Sequence, residues 1–297
     1  MKTVKPAHLE DTRQSARHTL YVEGNERSID FTALNELFDR QLTIRGMGPR
    51  SNVAAVAKAL FADHPNYYFL IDRDAQSEAE VEQSWAHFPD ASKHNLLIWP
   101  RKEIENYFID PAIITKTEFF QNGKEDEYIA RLQQEATKRV YCEAANRVII
   151  ELRECIKEAW IDCFKFRDGE FDTFDNTQKP LLELPNFPSQ TQKVSTELDL
   201  KKVKERFERE VANLLGGSAT CVMGTGNWFE LMSGKELLEV MVHNTSFFRV
   251  VGLDNRPRQG EEKMRGLVAN LIRFSKEHWP ADFTRLKTII EHRVRTT

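Results

Sequence analysis

Residues 69–76 read FLIDRDAQ, an apolar run that stops at two aspartates one residue apart. A strand ending at Ile71 exposes the residues that follow it, and the two-residue period of strand side chains predicts Asp72 and Asp74 on one side. Carboxylates held that close repel each other unless a cation or a proton lies between them. The competing reading is a polar turn that caps the next helix at Ser77. A further acid stands at another expected strand end, in YVEG at 21–24. Gly24 there permits a tight turn or the close approach of a ligand, although a lone Glu-Gly is more often only a turn. Together Glu23, Asp72 and Asp74 supply hard oxygen ligands, a set that suits Mg2+ or Mn2+ better than zinc.

The elements that must position these acids alternate along the first 110 residues. HTLYVEG, LTIRGMG, YYFLIDRD and NLLIWP read as strands. Between them lie ERSIDFTALNELFDRQ, SNVAAVAKALFA with Ser51 as its N-cap, and SEAEVEQSWAHF, which read as helices. Strands alternating with helices of this length imply an α/β fold, a mostly parallel sheet covered by helices on both faces. Sites in such sheets lie at the carboxyl ends of the strands, where Glu23, Asp72 and the Arg101–Glu105 segment all fall. From about residue 113 the chain turns helical. Residues 128–164 read as one long helix or two, with Leu132, Ala136, Val140, Val148, Leu152 and Ile156 along a packing stripe. A polar, proline-containing stretch at 175–196 then separates this region from the helix KKVKERFEREVANLL.

At 297 residues the chain can bury a large core, and 40% hydrophobic with 30% charged residues is ordinary for a soluble globular protein. No apolar run approaches the roughly 18 residues that span a bilayer, and the N-terminal residues lack a signal-peptide core. The four cysteines form no CxxC pair and the eight histidines no HExxH, so zinc and disulfide frameworks are not expected and a reducing cytoplasm fits best. Cys142, Cys155 and Cys163 read as small apolar residues on helices. A net charge of −4 argues against coating nucleic acid by bulk charge, but RPRQGEEKMRG and EHRVRTT make the last stretch basic. RGMGPR and GTGNW read as turns, and neither matches the P-loop pattern.

A strand ending in Glu-Gly, followed later by one ending in Asp-x-Asp, resembles the Toprim domain of topoisomerases, primases and overcoming-lysogenization-defect (OLD) nucleases. RKEIENYF at 101–108 resembles the Arg-x-Glu-x-Glu-Asn-Tyr signature of OLD-like Toprim nucleases and of the DUF4435 proteins. The latter group includes the nuclease subunit of PARIS-type anti-phage systems, which is paired with an ABC-type ATPase. The resemblance covers roughly residues 18–110, and SGKELL at 233–238 is a weaker match to a later Gly-Lys. It implies a Toprim catalytic core at 1–112 and a helical region at 113–297, of which 216–245 can return to the core. It also implies a Mg2+- or Mn2+-dependent nuclease, with Glu23 as metal ligand or general acid/base and Asp72 and Asp74 as metal ligands. The implied partners are a nucleic acid, DNA or RNA (tRNA included), an ABC-type ATPase and a second copy of the chain, with no membrane.

One position departs from the resemblance. Toprim proteins often carry a second acid four residues after the first, and Arg27 stands there. Glu26, one residue earlier, either faces the site or simply favours a helix N-terminus. If Pro100 opens a helix, Glu103 and Glu105 point apart, so Glu105 is expected in the site and Glu103 in solvent, with Arg101 and Glu105 as an i,i+4 pair. Lys235 either stabilises charge on a phosphate or leaving oxygen or is a solvated lysine in a first helical turn. The alternative to a nuclease is a catalytically inactive Toprim module that regulates or binds within an ATPase complex. A Toprim primase or topoisomerase subunit lacks support, because no zinc-binding cysteines or nucleophilic-tyrosine domain accompany the core.

Overall fold

The computed structural model describes residues 18–159 and 186–296, apart from 40, 61, 75, 91–93, 244–245, 253–255 and 275. Four short strands, β1 (Thr19–Val22), β2 (Thr43–Gly46), β3 (Tyr67–Ile71) and β4 (Leu96–Ile98), form one sheet in the order β2-β1-β3-β4. Every pairing is parallel, with Val22 opposite Gly46 and Leu70, and Ile71 opposite Ile98. The fold is therefore α/β and of Rossmann-like kind. β3 is the deepest strand, and its residues 68–71 are buried without alternation, as befits a central parallel strand.

The chain leaves β1 towards one edge of the sheet and returns across it to form β3. Helices α1 (Ile29–Leu37), α2 (Arg50–Leu60) and α3 (Glu78–Ala86) make the connections. The order of winding thus reverses between β1 and β3, where α/β sheets open a crevice at their carboxyl ends. Glu23 and Asp72 are the first residues beyond those two strands. Ser28 caps α1 through the N–H of Phe31, and Ser77 with Glu80 forms a capping box at α3. Ser51 is not the N-cap of α2. That helix begins at Arg50, so Ser51 already lies inside its first turn.

Beyond β4 come two single-turn helices, α4 (Glu105–Phe108) and α5 (Pro111–Ile114), and then α6 (Glu125–Ala159), one continuous helix rather than two. Its stripe Leu132, Ala136, Val140, Val148 and Leu152 is buried. Helix α7 (Asn186–Glu197) occupies the end of the stretch expected as a polar separator. Helix α8 (Leu200–Leu215) packs along α6, with Arg147–Glu210 at 2.7 Å and Arg206–Glu151 at 2.9 Å across the contact. Cys142 and Cys155 lie on α6, whereas Cys163 falls outside the described residues.

The last elements are α9 (Trp228–Leu231), α10 (Gly234–His243), α11 (Gly260–Phe274) and α12 (Ala281–Thr296). The apolar core runs without a break across residue 113, from Leu20 in β1 to Ile290 in α12. Phe283 of α12 packs against Trp99, Tyr107 and Phe108, and the Tyr107 hydroxyl donates to Asp282 at 2.7 Å. Helix α11 lies against α1, where Arg273 forks onto Glu36. Among the described residues no helix is long and apolar enough to cross a membrane.

Candidate functional site

A cavity of about 560 Å3 opens at the carboxyl ends of β1 and β3. Its wall carries the carboxyls of Glu23, Asp30, Asp72, Glu103, Glu105 and Glu261, together with Arg27, Lys235 and Arg265. Glu23 is delivered by the end of β1. Gly24 follows at φ +78°, a left-handed conformation, and exchanges backbone hydrogen bonds with Gly48 at 2.9 and 2.8 Å. A Cβ on Gly24 would come within 2.9 Å of the Ser28 Cβ, so the turn that leads into α1 requires glycine. Asp72 is delivered by the end of β3, and its backbone N–H donates to Glu23 Oε1 at 3.1 Å.

The arginine between the two aspartates anchors the segment. Arg73 is buried, donates to the carbonyls of Gln76 and Pro100 at 3.2 and 2.8 Å, and pairs with Glu78 at 2.7 Å. Its own N–H donates to the Lys102 carbonyl, which brings residues 101–105 beside the end of β3.

The structure brings Glu23, Asp72, Glu105 and Lys235 together and leaves Glu26 and Asp74 outside the cavity wall. Glu26 is exposed in a turn, because α1 begins only at Ile29 and no helical turn connects Glu23 to Glu26. Asp74 does not share a side with Asp72. The extended backbone stops at Ile71, Asp74 has φ +46°, and its carboxylate pairs with Arg50 at 3.2 Å. Its charge still reaches Glu23.

Glu103 is not in solvent. Pro100 opens no helix, since the first helical residue is Glu105, and the turn between them aims both glutamates into the cavity. Glu103 accepts from Ser233 Oγ at 3.1 Å and from the Lys235 N–H at 2.8 Å. Arg101 does not pair with Glu105; it pairs with Asp110 at 3.2 Å and lies over the rings of Tyr107 and Phe229. Gly234 permits this junction, because a Cβ there would lie 2.4 Å from the backbone nitrogen of Asn106. SGKELL thus clasps the segment after β4 through a hydroxyl, a missing side chain and a backbone N–H.

Burial and mutual repulsion set the electrostatics. Asp72 is held well above the ordinary aspartate value, first by burial and then by the charges of Asp30, Glu105 and Glu23. Burial raises Asp30 to about 7, against a backbone hydrogen bond and the Lys235 charge that both lower it. Burial raises Glu105 to about 8, with Asp30 and Glu103 adding to the shift. Glu23 is raised by burial, and the Asp72 N–H offsets part of the rise. A group of carboxyls in this condition needs protons or an external positive charge.

No family model, curated protein or solved structure matches this chain.

The donor set itself tests whether a hard divalent cation fits. Every candidate ligand is a carboxylate oxygen, and Asp72 Oδ1 is buried with no hydrogen-bond partner. Among the described residues, no three acidic, histidine or cysteine side chains are gathered closely enough to hold a metal ion as they stand. The site fits such an ion in donor type and charge, and its spacing is looser than a closed coordination sphere.

Asp30 and Arg265 also line the cavity, although motif spacing did not point to them. Asp30 left a trace in the sequence. It stands three, four and seven residues before Ala33, Leu34 and Leu37, so a carboxylate occupies the apolar face of α1. Arg265 left none, because its approach depends on the packing of α11 against α1.

Proposed function

We propose that this chain is a divalent-metal-dependent nuclease with a Toprim-like core that hydrolyses phosphodiester bonds in DNA or RNA. The observation that carries the reading is Asp72, a buried carboxylate with an unmet oxygen, set among Glu23, Asp30 and Glu105 where the winding of the sheet reverses. These residues would hold Mg2+ or Mn2+, which when bound activates water, polarises a phosphoryl oxygen and offsets charge on the leaving oxygen. Glu23 is fixed by the Asp72 N–H, so it can hold or accept a proton at a set place. Lys235, a cation whose charge reaches Asp30 and Glu105, would meet a phosphate oxygen.

By the resemblance of YVEG, FLIDRD and RKEIENYF, the nuclease acts in the cytoplasm as the toxic effector of an anti-phage defence system. A partner ABC-type ATPase controls it, and a second copy of the chain joins the assembly. The helices after residue 113 offer docking surface beyond what the sheet needs.

The test is incubation with plasmid DNA, a single-stranded oligonucleotide and tRNA, with Mg2+, Mn2+ or excess EDTA. Cleavage that requires the metal and disappears in Asp72→Ala supports the reading, and undiminished cleavage in EDTA removes it. A catalytically inactive module within an ATPase complex is favoured by two placements, Arg27 where Toprim proteins carry an acid and Asp74 turned onto Arg50. Under that reading the chain binds its partner or a nucleic acid and cuts nothing with either metal.

A further inference from the structure

A second concavity, of about 880 Å3, lies alongside the acidic cavity, and Arg265 of α11 lines both. Arg258, Arg273, Glu118 and Glu262 also line it, with the exposed ring of Phe274 nine residues beyond Arg265 on the same helix. Arg265 and Arg273 are eight residues apart on one helix, about 12 Å along its axis. We propose that this groove binds a single nucleic-acid strand, with Arg265 taking the phosphate that passes into the acidic cavity and Phe274 stacking an unpaired base. The identity of the occupant rests on the nuclease reading; the groove, its charges and its aromatic ring do not.

Three observations carry the proposal. Arg265 Nε–H is buried and has no hydrogen-bond acceptor, so a guanidinium at the mouth of the acidic cavity has an unmet donor. An anion arriving there satisfies it, and a phosphate matches the guanidinium fork. The same helix and the loop before it bring two further guanidiniums to the groove, Arg258 within 3.6 Å of Glu262 and Arg273 forked onto Glu36 at 2.7 Å. The Arg258–Glu262 contact is long and largely exposed, so salt screens it and a phosphate can compete with that carboxylate. Glu118 also lines the groove, but the Asn270 side chain donates to it at 2.7 Å and holds it against the wall.

Phe274 sets the class of strand. It is 65% exposed, and the Arg273 guanidinium lies 6.0 Å from its ring centroid. A phosphate-binding cation beside an exposed aromatic face is the pairing that holds single strands, whose bases have a free face to stack. In a duplex those faces are covered by neighbouring base pairs, and Phe274 would gain nothing.

The test uses the full chain in EDTA, so that metal-dependent cleavage cannot occur. Labelled oligo(dT), oligo(U) and a duplex of about 15 nucleotides or base pairs are titrated by fluorescence anisotropy. Salt is varied from about 50 to about 200 mM. Single strands should bind more tightly than the duplex. Arg265→Gln should weaken single-strand binding about tenfold and reduce the salt slope by about 0.7, one phosphate contact on a single strand. Phe274→Ala should weaken it about tenfold and leave the slope unchanged. Tighter binding of the duplex, or unchanged binding in both variants, overturns the proposal. Should circular dichroism show Arg265→Gln misfolded, the surface variants Phe274→Ala and Arg273→Gln decide it alone. The two readings fail separately: metal-dependent cleavage with no effect of the groove variants removes the groove, whereas groove-dependent binding in a chain that never cleaves removes the nuclease.

Discussion

The backbone N–H of Asp72 donates to Glu23 Oε1 at 3.1 Å, so the ends of the two central strands are joined by one of the site's own carboxylates. That bond fixes Glu23 at the cost of one of its lone pairs, and it uses no part of the Asp72 side chain. The two acids can therefore be separated by mutation.

Glu23→Gln keeps an oxygen that can accept the Asp72 N–H, so the strand ends should stay joined and the midpoint of thermal unfolding should hold. Cleavage should fall about 10²–10⁴-fold, the usual worth of a positioned general base. Paired measurements of midpoint and cleavage rate on one preparation check this. A variant that unfolds early and loses activity in proportion would make Glu23 a structural residue.

The raised carboxyls predict a pH dependence of stability. Asp30 and Glu105 titrate near 7 and 8 in the folded chain and near about 4 when unfolded. Between those values the folded chain holds protons that the unfolded chain has released, so metal-free stability is full below about pH 4 and falls as pH rises to about 8. Bound Mg2+ supplies the charge the protons had supplied, so it should raise the unfolding midpoint more at pH 8 than at pH 5. Asp72→Asn removes one of the buried charges. Without metal it should raise the midpoint at pH 8 by about 2–4 °C for each kcal/mol gained, and it should abolish the Mg2+ effect. Scanning calorimetry at both pH values, with and without MgCl2, gives the answer. A midpoint that climbs steadily from pH 5 to pH 8 without metal would contradict it.

The clasp between SGKELL and the segment after β4 separates position from charge. Gly234→Ala forces a Cβ to within 2.4 Å of the Asn106 nitrogen, and such overpacking costs about 1–3 kcal/mol. Lys235→Ala removes a side chain that leaves the clasp intact, because Glu103 is held by the Lys235 backbone N–H. Gly234→Ala should therefore lower the denaturation midpoint, whereas Lys235→Ala should lower cleavage alone. Urea titrations beside cleavage assays distinguish the two, and a destabilised Lys235→Ala would show that its charge holds the fold.

The parallel sheet was legible because its signals are local. Apolar runs such as YYFLI, glycine at 24 and the serine cap at 77 each act within a few residues, whereas Ser51 reads as the cap of a helix that begins one residue earlier. Glu23 and Asp72 followed from the same signals, since a parallel strand presents its carboxyl end to the crevice. Asp74 was misplaced because strand periodicity was carried past Ile71, into a turn where it no longer applies. Glu103 was misplaced for a similar reason: Pro100 can open a helix, but here it precedes a turn. What pulls Glu103 inward lies 130 residues away, at Ser233, and no local pattern encodes that approach. The continuous core across residue 113 was hidden in the same way, since Phe283 meets Trp99 only once the chain has folded.

Asp30 provides the sharpest comparison, because it and Glu26 compete for the place of the second acid. Glu26 is nearer in sequence to the expected position, yet it lies in an exposed turn outside the cavity wall. Asp30 lies in the first turn of α1, where the Ser28 cap fixes the helix and Ala33, Leu34 and Leu37 anchor the same face. Its carboxyl feels the charges of Glu23, Glu103 and Lys235, so removing its own charge alters the field across the site. Asp30→Asn preserves shape and removes the charge, and the buried amide faces the same neighbours. It should weaken Mn2+ binding about 10–100-fold, whether it touches the ion or orients its ligands. Cleavage should fall with it, and Glu26→Gln should leave both unchanged. Mn2+ titration followed by paramagnetic resonance reads binding without reliance on turnover. If Glu26→Gln loses the metal and Asp30→Asn keeps it, the turn at 25–28 must rearrange when the ion arrives, and the assignment of the second acid passes to Glu26.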